Sequence, residues 1–78
     1  MGTRQTVRNT VKRHRVGVDG MTQQDLADLV GVTRQTIHAI EKGRYNPSVG
    51  LALSLARVFV TTVEELFQLD EEDSHDER

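Results

Sequence analysis

The sequence contains no cysteine among its 78 residues, which excludes disulfide bonds, thiolate zinc sites and cysteine nucleophiles and fits a reducing compartment. No run approaches the roughly 18 apolar residues that a membrane span requires. The first ten residues, MGTRQTVRNT, also lack the apolar stretch of a signal peptide. We therefore expect a cytoplasmic protein with no membrane partner. Because alternating apolar and polar runs are missing too, the sequence predicts an all-α fold.

Arrangements typical of an active site are missing as well. The three histidines, His14, His38 and His75, are too dispersed to suggest a metal site. The adjacent acids Glu64 and Glu65 are typical of the first turn of a helix and not of a catalytic pair. The sequence thus predicts no enzymatic activity, no metal ion and no cofactor.

Charge is distributed unevenly along the chain. Residues 70–78 hold six acids against one arginine, which gives −5, whereas residues 1–69 hold nine basic residues against six acids, which gives +3. A basic body suits a nucleic-acid partner even though the net charge is −2. We expect a folded domain over residues 1–69 and a disordered acidic tail over residues 70–78, whose few apolar residues cannot form a core. The tail either serves solubility or competes with DNA for the basic body.

Capping residues, glycines and a single proline divide the body into five short predicted helices. The N-cap residues are Thr22, Thr33, Ser48 and Thr62. Acids three residues after Thr22 and Thr62 indicate capping boxes there. The predicted helices cover residues 3–15, 23–30, 34–42, 49–59 and 63–67. The fourth is apolar around most of its circumference, so we expect it at the buried centre.

The second and third predicted helices have the features of a helix-turn-helix unit. Ala27 is small where the two helices must approach closely, and Gly31 stands where the turn between them needs a positive φ. These features leave a polar, outward face on the third helix. Glu41 is polar within the unit, and we expect it to be a structural partner for Arg13 or Arg15 of the first helix.

The stretch from Thr22 to Phe67 resembles the Cro/C1-type (XRE-like) family of small bacterial, archaeal and phage regulators, through the pieces TQQDLA, VTRQTIHAIEKGRYNPS and VEELF. The resemblance implies a lambda-repressor-like DNA-binding domain, a compact five-helix bundle that binds operator DNA, usually as a homodimer. The sequence departs from this family in two places. The loop VGVDGM between the first two helices is longer than is common, and Val60 stands where the family usually has glycine.

The resemblance, together with the geometry of helix-turn-helix recognition, implies which residues contact DNA, because the second helix of the unit enters the major groove. The residues expected to contact bases are Thr33, Arg34, Gln35, His38 and Ala39. The residues expected to contact phosphates are Gln23, Thr36, Lys42, Arg44, Tyr45 and Asn46. Gln35 is the best candidate for direct readout because its amide matches N6 and N7 of adenine.

An excess of apolar residues near the C-terminal end of the body, together with what the family usually does, predicts a homodimer. The residues expected at its interface are Val60, Val63, Phe67 and Leu69. We expect a regulator of transcription, most simply a repressor, that binds an inverted repeat in double-stranded DNA and is associated with the nucleoid when bound. The alternative is a protein-interaction module, such as an antitoxin that sequesters an unidentified partner protein, although the tail offers almost no apolar anchor for one.

Overall fold

The structure is a computed structural model that describes residues 7–69. Its helices are α1 (Val11–Val16), α2 (Gln23–Val30), α3 (Arg34–Glu41), α4 (Val49–Val58) and α5 (Val63–Leu66), and its strands are β1 (Val7–Asn9) and β2 (Phe67–Leu69). The predicted acidic tail and the first four residues of the first predicted helix lie outside the described residues. Within residues 7–69, no helix has the length and apolar character needed to cross a membrane. The same residues contain no group of three or more His, Asp or Glu side chains that could hold a metal ion.

A two-stranded antiparallel sheet corrects the expectation of an all-α fold. Strand β1 pairs with β2 in a register that places Val7 opposite Leu69 and Asn9 opposite Phe67, so residues 7–9 and 67 are strand where the sequence predicts helix. Each strand is three residues long, which is too short for an alternating pattern to be detected. The strands form because tertiary structure brings the two segments together and satisfies their backbone groups.

Helix α1 is shorter than predicted because side chains at its start redirect the chain. The Asn9 side chain accepts a hydrogen bond from the Val11 backbone N–H at 3.1 Å, and its amide nitrogen donates to the Ile40 carbonyl at 2.8 Å. The Thr10 backbone N–H donates to the Leu66 carbonyl at 2.9 Å. These bonds tie the junction of β1 and α1 to the ends of α3 and α5.

The predicted N-caps are confirmed in α2 to α5. Thr22, Thr33, Ser48 and Thr62 each accept a hydrogen bond from a backbone N–H three residues later. At the start of α2 the capping box is reciprocal, since the Asp25 carboxylate also accepts from the Thr22 backbone N–H at 3.0 Å. Each such cap typically stabilises a helix by about 1 kcal/mol.

The core lies where α2, α3, α4 and α5 meet, and α1 closes it with one residue. Its buried members are Val11, Leu26, Ala27, Ile37, Ile40, Leu55, Ala56 and Leu66. Helix α4 buries Ala52, Leu55 and Ala56, whereas Val49 is 76% exposed and Leu53 is 57% exposed. The expectation of a mostly buried α4 is therefore wrong: this helix covers the core with one face and exposes a second apolar face.

Residues with positive φ follow both α2 and α4. Gly31 has φ +76 at the end of α2, as the sequence predicts for the turn. Val60 has φ +54 just after α4, at the position where the resemblance leads one to expect glycine. The helix thus ends as glycine would end it, although the left-handed conformation costs a residue with a Cβ about 1–2 kcal/mol.

Candidate nucleic-acid interface

Helices α2 and α3 form a closely packed pair with a short turn between them. The turn is closed by the Val32 backbone N–H, which donates to the Ala27 carbonyl at 3.0 Å. Ala27 and Ile37 are fully buried, so the small side chain of Ala27 allows the close approach that the sequence predicts. With its apolar residues directed into the core, α3 presents a polar face to solvent.

The exposed face of α3 carries most of the residues expected to contact bases. Thr33, Arg34, Gln35 and His38 are exposed, whereas Ala39 is half-buried. Spacings of three and four residues place Arg34, Gln35 and His38 on adjoining parts of one helix surface. These three exposed side chains therefore share one surface within the first five residues of α3.

The first turn of α3 is ordered by two hydroxyl groups. The Thr36 backbone N–H donates to Thr33 Oγ1 at 3.2 Å, and the two Oγ1 atoms lie 3.1 Å apart. Both hydroxyls are thus engaged within the helix start, where Thr36 is half-buried and Thr33 is exposed. The hydroxyl group of Thr36, which is expected to contact a phosphate, therefore lies next to the hydroxyl group of Thr33 that caps α3.

The other residues expected to contact phosphates fall into two groups. Gln23 is half-buried at the start of α2. Lys42, Arg44, Tyr45 and Asn46 are exposed at the end of α3 and in the loop that follows it. One group thus belongs to the helix before α3, and the other to the end of α3 and the loop after it.

A buried ion pair connects α1 to the end of α3. Arg15 Nε donates to Glu41 Oε2 at 2.7 Å, and Arg15 Nη2 donates to Glu41 Oε1 at 3.2 Å. The Glu41 side chain is only 3% exposed. The structure therefore confirms Glu41 as a structural partner of α1 and selects Arg15 over Arg13.

Gln23 completes this network. Its amide nitrogen Nε2 donates to Glu41 Oε1 at 3.0 Å. Burial raises the pKa of Glu41, but the hydrogen bonds from Arg15 and Gln23, with the positive charges of Arg15 and Lys12, outweigh burial and hold that pKa below its ordinary value. The carboxylate is thus charged, paired and bonded to three donors at neutral pH.

An open cleft of about 600 Å³ lies beside the start of α2, and its lining includes Arg15, Gln23, Gln24 and Arg34. Arg34, which is expected to contact a base, therefore borders the same cleft as Gln23, which is expected to contact a phosphate. Free N–H groups and the positive end of the dipole make a helix start favourable for an anion. The cleft joins the start of α2 to the exposed face of α3.

Two contributors to this surface are missing from the sequence predictions. Gln24 borders the cleft, and its Nε2 donates to Asp28 Oδ1 at 2.9 Å, a pairing that the four-residue spacing could have indicated. Asn9 holds the Ile40 carbonyl near the end of α3. No local signal indicates that contact, because the two residues are far apart in sequence.

The four residues expected at a dimer interface do not form one group. Val63 and Phe67 line a cavity of about 240 Å³ that Val49 also borders. Val60 borders a different depression together with Val18. Leu69 is exposed in β2. The apolar surface around Val63 and Phe67 is the better candidate for self-association, because it continues to Val49 on the exposed face of α4.

Comparison with known proteins identifies related sequences. The family model described as Helix-turn-helix matches residues 19–66. A protein of Archaeoglobus fulgidus described as an uncharacterized HTH-type transcriptional regulator is 56% identical over 54 residues, which cover 69% of this chain and 77% of that protein. A second protein of that archaeon with the same description is 46% identical over 72 residues, covering 92% of this chain and 100% of its own length. The uncharacterized HTH-type transcriptional regulator YgzD of Bacillus subtilis is 47% identical over 66 residues, covering 85% of this chain and 98% of YgzD.

Proposed function

The chain belongs to the Cro/C1-type helix-turn-helix family of DNA-binding transcriptional regulators, and from this premise we propose that it is a repressor that binds an inverted-repeat operator as a homodimer. The observation that carries the proposal is the exposed polar face of α3 beside the anchored start of α2. Such a regulator acts in the cytoplasm, at the nucleoid when bound to DNA, and it works by binding and not by catalysis.

In this proposal α3 lies in the major groove and its N-terminal half reads base edges. Gln35 donates to N7 and accepts from N6 of adenine, and Arg34 donates to O6 and N7 of guanine or to a neighbouring phosphate. Thr33 offers its methyl group to thymine, while His38 and Ala39 reach bases one turn further along. Each bidentate contact is worth about 1–3 kcal/mol of discrimination between bases.

Phosphate contacts on both sides of α3 set its register in the groove. Gln23 and the backbone N–H groups at the start of α2 bind one phosphate. Lys42, Arg44, Tyr45 and Asn46 bind the backbone beyond the end of α3, and Thr36 adds a hydroxyl near its start. The exposure of the loop residues and the position of Gln23 beside the open cleft support these assignments.

Selection from a random pool of DNA duplexes at near-physiological salt, followed by sequencing, tests recognition directly. We expect an inverted repeat with half-sites about one helical turn apart. Gln35→Ala should relax the preference at one position of each half-site, whereas Ser54→Ala, an exposed change on α4, should leave the motif intact. Salt-sensitive binding without any enriched motif would reject the operator and would favour a module that binds a partner protein.

Self-association is supported by the apolar surface that α4, α5 and β2 leave exposed, since large exposed apolar patches mark interaction sites. Phe67→Glu should convert dimers to monomers in analytical ultracentrifugation. Because Phe67 also packs against the core, Val49→Glu provides a second variant at a position that is 76% exposed. Leu29→Glu, at an exposed site on α2, is the matched control. A dimer mass for both interface variants would reject this surface.

A further inference from the structure

The start of α2 holds a glutamine whose orientation is set by a buried charge. Gln23 Nε2 donates to Glu41 Oε1 at 3.0 Å, and the same oxygen accepts from Arg15 Nη2 at 3.2 Å. We propose that Glu41 is a positioning residue for DNA binding: it holds the Gln23 amide so that its second N–H group donates to a phosphate. This inference rests on the proposed function, because it assigns a role within the same DNA-binding surface.

The chemistry of the two side chains determines which end of the amide faces the carboxylate. An ionised carboxylate only accepts hydrogen bonds, whereas a primary amide has a donating nitrogen and an accepting oxygen. Turning the Gln23 amide over would place its oxygen against Glu41 Oε1, an arrangement without a proton between two acceptors. Glu41 therefore selects the orientation with nitrogen inward.

That orientation matters for an anionic ligand. A primary amide nitrogen carries two hydrogens, and Glu41 takes one of them. The other is available on a half-buried side chain that borders the open cleft beside α2. A Gln23 side chain without this restraint would present its oxygen as readily as its nitrogen, and an oxygen repels phosphate.

Arg15 makes the arrangement compatible with DNA. A buried carboxylate without a partner would place a negative charge behind the phosphate-binding residue, but the two hydrogen bonds from Arg15 neutralise it. Arg15 Nη1 also donates to the Met21 carbonyl at 3.1 Å, directly before the cap of α2. Helix α1 and the end of α3 thus both restrain the start of α2.

Whether Glu41→Gln strengthens or weakens DNA binding distinguishes a positioning role of Glu41 from an effect of its charge alone. Removing an acid from a DNA-binding protein should tighten binding to DNA if only net charge matters. Positioning predicts that Glu41→Gln weakens binding to DNA. The introduced amide can accept a hydrogen bond from Gln23 or donate one to it, so it no longer selects one orientation of the Gln23 amide. Glu64→Gln, an exposed site on α5, removes the same charge without touching Gln23 and is the matched control.

The experiment measures binding to a random-sequence duplex of about 30 base pairs, since phosphate contacts do not depend on sequence. We expect Gln23→Ala and Glu41→Gln each to weaken binding about 3- to 10-fold, equivalent to roughly one hydrogen bond. The double variant should bind no more weakly than Gln23→Ala alone, because Glu41 acts through Gln23. Glu64→Gln should bind as well as the unmodified protein or better.

A second variant separates positioning from folding. Arg15→Met combined with Glu41→Leu removes both buried charges, a replacement that often preserves stability, and the free energy of unfolding in urea checks that it does. We expect a folded protein that binds DNA as weakly as Glu41→Gln does. If the folded Arg15→Met/Glu41→Leu variant bound DNA with unchanged affinity, the positioning role would be overturned while the proposed function would stand. Additive effects of Gln23→Ala and Glu41→Gln would have the same meaning. An unmodified protein that binds no duplex DNA would overturn both this inference and the proposed function.

Discussion

Val60 concentrates backbone strain at one exposed residue. Its φ is +54 and its side chain is branched at Cβ. The residue is 90% exposed. Burial of so small a part of the side chain offsets little of the cost of the left-handed conformation. The residue type at position 60 therefore conflicts with the backbone that the fold requires there.

We expect Val60→Gly and Val60→Asn to stabilise the protein by about 0.5–1 kcal/mol, because both residue types adopt positive φ readily and glycine loses part of the gain through its larger unfolded-state entropy. Urea denaturation followed by circular dichroism measures the change. Repeating it at two protein concentrations separates strain relief from any weakening of a dimer that Val60 helps to form. A loss of stability at both concentrations would show that Val60 is not strained.

Glu41 links the stability of the fold to pH. Its pKa lies below the ordinary value of 4.5, so its ion pair contributes fully above that value and loses its contribution as the pH falls through the lower, folded-state pKa. The free energy of unfolding should fall as the pH drops below 4.5, and less steeply in Glu41→Gln. Glu64→Gln is the control for general acid effects. Identical pH slopes in Glu41→Gln and the unmodified protein would contradict this assignment.

At the scale of elements, local chemistry predicts α2 and α3 well and the first and last described segments poorly. The bounds of α2 match the prediction, and α3 ends at Glu41, one residue earlier than predicted, because threonine caps and a glycine turn specify them within a few residues. The strands depend on pairing between distant segments. The apolar residues of α4 indicate a helix, but they do not reveal which of its faces the core covers.

Asn9 joins three of these elements, and its replacement tests how much the junction contributes. We expect Asn9→Ala to destabilise the fold by about 1–2 kcal/mol, because the Val11 N–H loses its acceptor and the Ile40 carbonyl loses a donor. Thermal unfolding measures the loss, and Gln68→Ala, an exposed change in β2, serves as the control. Equal melting temperatures for Asn9→Ala and the unmodified protein would argue against a structural role for the junction.

At the scale of the whole molecule, charge and topology decide what the sequence alone can predict about the site. Composition indicates a basic body, and the helix-turn-helix pattern indicates which face of α3 is polar. Arg34, Gln35 and His38 are exposed as predicted, and their contacts with bases stay a prediction. The anchoring of Gln23 by Glu41 and Arg15 depends on three helices that meet in space. The spacing of these three residues along the chain does not indicate that their helices meet.

The opposite charges of the body and residues 70–78 lead to a prediction for DNA binding. Deleting residues 70–78 should raise the affinity for random duplex DNA at low salt, because six acids no longer compete with phosphates for the basic body. The ratio of operator affinity to random-DNA affinity should therefore fall. Changing the six acids to their amides should have the same effect without altering the length. Equal affinities of the full chain and the shortened one would leave solubility as the role of these residues.

The pairing of β1 with β2 has a consequence for the order in which the molecule assembles. The sheet joins the first and last described segments, so its formation closes the longest loop of the fold, whereas α2 and α3 meet across a short turn. Closing a long loop costs more entropy, so the pair of helices α2 and α3 should fold early and the sheet should form last. Native-state hydrogen exchange should then find the β1 and β2 amides opening at lower free energy than those of α3. Such openings would leave the packing of α2 against α3 intact while β1 and β2 separate.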